Sequence, residues 1–421
     1  SGDPEAQQIA REIFALPQVE VGHHTYSHPF EWGFFEDYTS LKEAPFATLY
    51  RHLDRTAWSE EVLESDAAKP SGLLAAAYDV PRGFGSKPFV LEREFGEASR
   101  YVEQFAPPGK KAEIVLWSGN TSPTPRMIAA SREAGLLNIN GGDSRFDPEF
   151  PSVSYVPPVG RTFGGQVQIF AVTSNENTYT DLWSGRYFGF QDLILTLRNT
   201  ESPRRLKGIN VYYHMYSAER PAALQALLKN LEFARSQRIT PIPATHYARI
   251  GEGFYTTRFD VLGPDHWRVL DRGRMQTIRH DNADDRVVDM RSAVGVLGYT
   301  RFQGNLYVAL DEAVAEPEYR LVARGEPAQR NDLPSLVDAR WHLWDLARDG
   351  ASLRMKGQGF GHGSMQWRGM TPGQWRVEAT LPDGSTVSDE QTVGSDGLLI
   401  VELPTHAYEP LGIVIRPAEA G

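Results

Sequence analysis

The hydrophobic pattern of this chain changes once, at about residue 250, and that change limits the folds it can adopt. Before it, helical periodicity alternates with short β-rich runs. "PEAQQIAREIFALP" predicts a helix, "VEVGHH" and "AEIVLWSG" predict strands, and "PRMIAASREAGL" predicts a helix that ends near Gly135. After it, short runs such as "GLLIVELP" are separated by turns. The sequence therefore predicts an α/β domain with parallel strands, followed by an all-β domain.

Further along the α/β part, "LNINGG", "GINVYYHMY" and "ITPIPATHY" predict strands, and "ERPAALQALLKNLEFARSQ" predicts a long amphipathic helix. The chemically suggestive residues stand where these strands end. Parallel strands bring their carboxyl ends to one edge of a sheet, where ligands commonly bind. We therefore expect a functional site at that edge.

The length of the chain favours two domains. At 421 residues it is longer than most single domains. We predict the α/β domain over residues 1–250, a linker over 251–285 and a β-sandwich over 286–421. The β-sandwich is a candidate carbohydrate-binding domain.

The composition excludes several classes of protein. Because the chain has no cysteine, a metal would have to be held by His, Asp or Glu. A formal charge of -11 argues against general binding to nucleic-acid phosphates. No run of about 18 apolar residues occurs, so no membrane span is predicted.

The stretch "VGHHTYSHPF" places three of the chain's 11 histidines within six positions. Chance alone would give about 0.3 His-x-x-x-His pairs in such a chain, so the context has to decide. Thr25 stands where a helical zinc motif would need Glu, and Pro29 disfavours a helix. We therefore expect His24 and His28 at the exit of a strand, where two neutral imidazoles can bind zinc or a similar ion.

Three stretches resemble the NodB-type polysaccharide deacetylases. "VEVGHHTYSHP" resembles their H-[ST]-x-x-H motif, in which both histidines bind the metal. "VLWSGNTSPTPRMIAASREAGLLNINGGD" follows the layout of the third and fourth motifs, and "GINVYYHMY" resembles the fifth, which ends in a histidine that acts as general acid. A longer likeness, including "HPFEWGFFEDY" and the all-β part, is to the periplasmic deacetylases of the Pel exopolysaccharide system.

The resemblance implies a (β/α) deacetylase barrel, with His24 and His28 as metal ligands and His214 as the catalytic acid. The metal would be zinc, although cobalt, nickel and manganese also suit such ligands. The implied reaction is metal-dependent N-deacetylation of an N-acetylhexosamine exopolysaccharide in the periplasm, during polymer export and biofilm formation. The implied partners are this polysaccharide and either other Pel export proteins or an N-terminal fragment of the same protein.

The sequence departs from the family pattern at two places. The family's third motif has an Arg before its prolines, whereas Trp117, Ser118, Gly119 and Asn120 occupy that loop here. The family's first motif, which supplies a metal-binding Asp, lies well upstream of the histidine pair, yet only 23 residues precede His24. We therefore expect a partial barrel that lacks its first strands, completed by a separate chain or fragment.

Five further residues are candidates for substrate binding. Asn120 and Asp143 end predicted strands and could bind sugar hydroxyls or orient His214. The other three, Trp32, Trp117 and Trp183, could stack on sugar rings or belong to the core.

The remaining histidines are assigned weaker roles. His23 faces away from His24 if the strand continues, so a structural role is expected. His246 ends the last predicted strand and is a weaker candidate. His342 shows no ligand spacing and is expected to be an ordinary surface or packing residue.

Two other functions stay open on the sequence alone. The chain could be a non-catalytic carbohydrate-binding protein, with Trp341, Trp344, Trp367 and Trp375 as the aromatic supply of its β domain, although at least two of these four are expected in the core. It could also deacetylate a peptidoglycan-type or chitin-type polymer. A hydrogen-bonded pocket, which the sequence does not place, would decide which sugar is bound.

Overall fold

The structure is a computed structural model, and it describes residues 3–67, 78–201, 207–325, 333–403 and 405–418. The chain divides into two compact units, Ser1–Ser236 (unit 1) and Gln237–Gly421 (unit 2). Unit 1 mixes helices and strands and unit 2 is mostly strands, so the broad fold class is confirmed. The division precedes the predicted boundary at residue 250, and residues 251–285 hold the end of a helix and three strands rather than a linker.

The regular elements of unit 1 are short. Its α-helices are α1 (Pro4–Ala15), α2 (Ser40–Ala47), α3 (Glu60–Leu63), α4 (Ala98–Glu103), α5 (Pro125–Glu133), α6 (Leu193–Asn199) and α7 (Pro221–Ser236). Its strands are β1 (Val21–His23), β2 (Ala112–Leu116), β3 (Leu137–Ile139), β4 (Gly160–Phe163) and β5 (Gln166–Ile169). Short 3-10 helices span Trp32–Phe35, Val153–Tyr155, Glu176–Tyr179, Gly189–Asp192 and Met215–Glu219, and a π-helical turn spans Arg93–Glu97.

Unit 2 begins with one helix and continues as strands. The helix is α8 (Ala244–Thr256). The strands are β6 (Arg258–Gly263), β7 (His266–Leu270), β8 (Thr277–His280), β9 (Arg286–Val288), β10 (Val296–Phe302), β11 (Asn305–Leu310), β12 (Glu318–Ala323), β13 (Ser335–Ala339), β14 (His342–Asp349), β15 (Ser352–Gly359), β16 (Gly363–Arg368), β17 (Gly373–Thr380), β18 (Thr386–Val393), β19 (Leu398–Leu403) and β20 (Ala407–Pro417).

A small parallel sheet organises the first half of unit 1. Its strand order is β1-β2-β3, with Val21 paired with Ala112 and Leu116 paired with Ile139. The predicted parallel pairing is therefore confirmed, and the three carboxyl ends meet at one edge. Strands β4 and β5 form a separate antiparallel pair. Closure of a barrel stays a prediction.

Two segments predicted as strands are not strands. Residues 208–214 carry no strand, although Ile209, Val211 and Tyr213 alternate as a strand would. These side chains pack against a cluster from the helical part of unit 1, which includes Leu193 and Leu197, so the alternation reflects burial against helices. The segment "ITPIPATHY" also fails to pair, because its two prolines lack the N–H of a ladder, and helix α8 begins directly after the second one.

The strands of unit 2 form three sheets in which most neighbouring strands are antiparallel. The orders are β19-β16-β13-β10-β11-β8, β14-β15-β20-β17-β18 and β6-β7-β12-β9. Side chains of the six-stranded and five-stranded sheets share one apolar core, as Trp367 and Ile413 illustrate, and this layering agrees with the predicted β-sandwich. A second core joins the six-stranded sheet to the four-stranded one, through residues such as Val308 and Tyr319.

The tryptophans of unit 2 mostly serve packing. Trp341, Trp367 and Trp375 lie in the shared core with almost no exposed surface, which confirms the expectation that at least two of the four are core residues. Trp344 is half-buried. Across the described ranges, none of the helices is long and apolar enough to cross a bilayer.

A buried ion pair anchors the helical layer of unit 1. Glu43 and Arg82 are 0% and 2% exposed, and Arg82 Nε donates to Glu43 Oε1 at 2.7 Å. The hydroxyls of Tyr38 and Tyr50 also donate to this carboxylate. The two carboxylate oxygens thus accept four hydrogen bonds, two of them from Arg82, as a buried charge requires.

Glu43→Gln should destabilise unit 1 because it leaves the buried Arg82 guanidinium without its counter-charge. We expect the free energy of unfolding to fall by about 3 kcal/mol, as when one member of a buried ion pair is removed. Urea denaturation followed by tryptophan fluorescence measures this loss. Lys111→Gln removes an exposed ion pair with Glu103 and should cost less than about 1 kcal/mol, so equal losses would contradict the argument.

Candidate functional site

His24 follows β1 at the carboxyl edge of the parallel sheet. Its Nδ1 lies 2.8 Å from the carbonyl oxygen of Leu116, the last residue of β2. Because a carbonyl can only accept a hydrogen bond, the neutral ring carries its proton on Nδ1 and keeps a lone pair on Nε2. A backbone bond of this kind is how proteins orient a metal-binding histidine.

His28 lies against His24. The two ring centroids are 4.8 Å apart at an interplanar angle of 74°, and His28 Nδ1 is buried without a hydrogen-bond partner. Burial, and then the neighbouring His28, lower the pKa of His24 to about 4. Burial also lowers the pKa of His28. Both rings are therefore neutral at pH 7, which is the form that binds a metal.

Glu94 fixes the turn between the two histidines. Its carboxylate, only 1% exposed, accepts hydrogen bonds from the N–H of Tyr26 at 3.1 Å and from the N–H and hydroxyl of Ser27 at 2.8 and 2.7 Å. Burial raises the pKa of Glu94, and the bonds from Ser27 act in the opposite direction. Glu94 lies in the π-helical turn, an irregularity that often positions functional residues.

Two other segments hold the end of this loop. On one side, Gly83 N–H donates to His28 O at 3.0 Å and Phe30 N–H donates to Pro81 O at 2.8 Å. On the other side, Gly119 packs directly on Phe30, with φ of +56°, and a Cβ at this position would lie 2.4 Å from the Phe30 Cα. Only glycine permits this close approach and this backbone conformation together.

His214 approaches the same site from a distant part of the chain. Its Nδ1 lies 2.7 Å from Glu176 Oε1, and its N–H donates to Glu176 Oε2 at 3.2 Å. Glu176 is 1% exposed, whereas the His214 side chain is 30% exposed. His214 contributes to the lowered pKa of both His24 and His28, so the three imidazoles lie within electrostatic reach of one another.

Glu176 is a site residue that the sequence did not reveal. It opens a 3-10 helix and precedes His214 by 38 positions, so no local spacing connects them. Asn120 and Asp143 were candidates for binding sugar hydroxyls or orienting His214, and in the structure Glu176 makes the contact with His214. Asp143 follows β3 with its side chain exposed, and neighbouring atoms desolvate it enough to raise its pKa.

Of the tryptophans predicted to contact sugar, one lies at the site. Trp183 is half-buried, and its ring centroid is 5.1 Å from that of Tyr216, which stacks on His214 at 4.9 Å. Trp32 and Trp117 are both 0% exposed core residues, so neither ring offers a face to a ligand, and the predicted sugar contact is corrected for these two.

The remaining sequence candidates have structural partners. Asn120 is half-buried and its Nδ2 donates to Glu31 Oε2 at 2.8 Å. His23 Nδ1 accepts from the N–H of Thr25 at 3.2 Å, which places the proton of the neutral ring on Nε2, a buried atom without a partner. His23 therefore has no free lone pair for a metal, in agreement with the structural role expected for it.

His24 and His28 form an incomplete ligand set in the part of the chain that the structure describes. Within those residues, no third His, Asp or Glu brings a ligand atom close enough to both rings to complete a three-ligand group. The predicted need for a carboxylate from elsewhere stays a prediction.

A three-residue group that could hold a metal lies in unit 2 instead. His246 of α8, Glu312 after β11 and His342 of β14 bring one ligand atom each to within 4.8 Å of one another. Burial lowers the pKa of both histidines to about 4, so both are neutral at pH 7. His246 lies in α8 and not at the end of a strand, which corrects the sequence prediction. Separations of 66 and 30 positions between successive members explain why no ligand spacing revealed this group.

Comparison with known proteins adds no relative. No protein-family model, no curated protein and no solved structure matches this chain.

Glu94→Gln should loosen the loop that carries the two histidines. Glutamine offers one acceptor oxygen to three donors, and its NH2 group faces N–H groups that it cannot satisfy. We expect unfolding free energy to fall by about 1–3 kcal/mol in urea denaturation, with weaker zinc binding at His24 and His28 by calorimetric titration. Glu97→Gln, an exposed residue of the same turn, is the matched control. Wild-type zinc affinity in Glu94→Gln would contradict this role.

Proposed function

We propose that unit 1 carries the active site of a metal-dependent polysaccharide N-deacetylase that acts on an N-acetylhexosamine exopolysaccharide. The observation that supports it best is the convergence of two neutral histidines, His24 and His28, with a third, His214, that a buried carboxylate orients. The resemblance to NodB-type deacetylases gives the same roles to the same three residues.

His24 and His28 would hold the metal. His24 offers Nε2, since its Nδ1 donates to a carbonyl, and His28 has a buried nitrogen without a partner, so both fit a divalent ion. Such an ion lowers the pKa of bound water and polarises the acetyl carbonyl. We propose zinc, with cobalt, nickel or manganese as substitutes, and a third ligand from an Asp of the family's first motif, supplied by another segment or chain.

His214 would deliver the proton that releases the sugar amine. Hydrolysis breaks the C–N bond of the acetamide, water supplies the second oxygen of acetate, and the departing nitrogen takes up a proton. Because Glu176 engages Nδ1 of His214, Nε2 remains to hold that proton. The buried carboxylate would also keep the ring in one orientation.

The surroundings suit a sugar polymer. Tyr216 stacks on His214 and Trp183 packs against Tyr216, so the two rings provide an aromatic face of the kind on which a sugar ring stacks. Deacetylation makes the polymer cationic, and the chain's formal charge of -11 suits such a product. By resemblance we propose that the protein works in the periplasm on Pel-type polysaccharide during export and biofilm formation, with other Pel export proteins as partners.

The three histidines should respond differently to substitution. His24→Ala or His28→Ala should each remove one equivalent of zinc relative to the wild-type chain, measured by elemental analysis. His214→Ala should keep this zinc but release acetate about 10²–10⁴-fold more slowly, the usual contribution of a general acid. His52→Ala, an exposed histidine of unit 1, should change neither property. Equal zinc loss in all three site variants would overturn the assignment.

Glu176→Gln tests the positioning of His214. It should keep the zinc and lower kcat with little change in KM, because an amide holds the His214 ring less firmly than the buried carboxylate does. An unchanged kcat would contradict the positioning role, and loss of zinc would indicate a purely structural role for Glu176.

The substrate class is tested by comparing zinc-dependent acetate release from Pel-type polymer, chitin oligomers and peptidoglycan. Release from the Pel-type polymer alone supports the proposal. Faster release from chitin or peptidoglycan favours that substrate instead. Tight polymer binding without any acetate would identify a carbohydrate-binding protein.

A further inference from the structure

We propose that His246, Glu312 and His342 form a second divalent-metal site, which lies wholly within unit 2 and binds zinc. This site is independent of the deacetylase proposal, because it shares no residue with the first site. Its ligands are two imidazoles and one carboxylate, a set found in zinc sites that keep an open coordination position.

The spacing of the three ligand atoms fits a zinc ion. Glu312 Oε2 lies 3.2 Å from His342 Nε2 and 3.9 Å from His246 Nε2. Ligand atoms about 2.0–2.1 Å from a tetrahedral zinc lie about 3.3 Å from one another. The two contacts of Glu312 are close to this value, and the two histidine nitrogens, which lie within 4.8 Å of each other, would have to approach by up to about 1.5 Å for both to bind.

One ligand atom is an unpaired polar atom in the interior. His246 Nε2 is buried and has no hydrogen-bond partner. Its ring meets the edge of His342, with centroids 4.7 Å apart at 85°. A buried nitrogen without a partner carries a desolvation cost that a bound cation would offset.

The Gln276 side chain lies where a cation would act. Its Nε2 is 2.5 Å from His342 Nε2 and 3.3 Å from Glu312 Oε2. The amide protons thus point at two atoms whose lone pairs a metal would use. Rotation of the amide by half a turn would present Oε1 instead, so Gln276 can become a further ligand or a hydrogen-bond partner of metal-bound water.

Rigid elements position the ligands. The side chain of Asp311, beside Glu312, accepts from the N–H of Asp345 and of Leu346 at 2.8 Å each, which ties the loop after β11 to β14. His342, the first residue of β14, also stacks on Trp344, with centroids 4.7 Å apart. A site held in this way needs little reorganisation to bind an ion.

The two carboxylate oxygens of Glu312 have different partners. The Arg274 guanidinium contacts Oε1, and both histidines face Oε2. Arg274 thereby holds the carboxylate in one orientation and leaves one oxygen for a metal, in the manner of outer-shell partners in metal sites.

A cavity of about 360 Å³ adjoins the triad. Gln276 and His342 belong to its lining, together with Tyr299, Tyr307 and Trp341. A zinc ion with three protein ligands keeps a fourth position, and the cavity gives water or a small oxygen-donor ligand access to it. We therefore assign to unit 2 a metal site with a ligand pocket beside it.

This site is tested by titrating zinc into the full chain after bound metal has been removed with a chelator. The first site is eliminated beforehand by substitution. In a His24→Ala, His28→Ala background, calorimetry should show one equivalent of zinc bound, and zinc should raise the Tm. Cobalt in place of zinc should give the visible absorption of a tetrahedral ion. Adding His342→Ala or Glu312→Gln should weaken binding by at least about tenfold, and Gln276→Ala by a smaller factor.

Two controls distinguish the loss of a metal ligand from a general effect of substitution on the fold. His266→Ala removes a histidine that pairs with Glu318 at 2.9 Å in the same unit, and it should leave zinc binding unchanged. Glu312→Gln keeps the side-chain volume, and its metal-free Tm reports whether the fold is intact. No zinc bound in the background chain, or equal zinc binding by the triad variants and His266→Ala, would overturn the proposal.

Discussion

The buried carboxylate of Glu94 is the interaction on which the first site depends most. It comes from a π-helical turn far along the chain and binds both backbone N–H groups in the middle of the "HTYSH" loop. A carboxylate in such surroundings is costly to bury, and the three donors offset that cost. The loop has no regular structure of its own, and its backbone is held by this carboxylate and by the close packing of Gly119 on Phe30.

The two histidine groups reach similar chemistry by different constructions. In unit 1, His24 follows a strand and its tautomer is set by a neighbouring strand's carbonyl. In unit 2, a helix, a loop and a strand each contribute one ligand atom. Burial is the common cause of neutrality in both, since it disfavours the charged imidazolium more than any nearby group does. The groups differ in completeness, because only the second unites two imidazoles with a carboxylate among the described residues.

Local sequence patterns predict those boundaries of helices that nearby residues determine. The helix α1 begins at Pro4 after the N-cap Asp3, and α5 ends before Gly135, so Pro, Asp and Gly mark these bounds as expected. The histidine pair was also predicted, because His24 and His28 lie within one short motif. Contacts between residues that lie far apart in the sequence could not be predicted from it. No local sequence pattern indicates the hydrogen-bond partners of Glu94 and Glu176. The alternation at residues 208–214 likewise does not show that the segment packs against helices.

The six-stranded sheet of unit 2 contributes to two apolar cores. Along β11, Leu306, Val308 and Leu310 enter the core shared with the four-stranded sheet, whereas Ala309 packs against the core shared with the five-stranded sheet. If either the four-stranded or the five-stranded sheet separates, one apolar face of the six-stranded sheet is therefore exposed. Unit 2 should behave as a single cooperative block in unfolding, in which a defect introduced on one side of the sheet is felt as lost stability on the other.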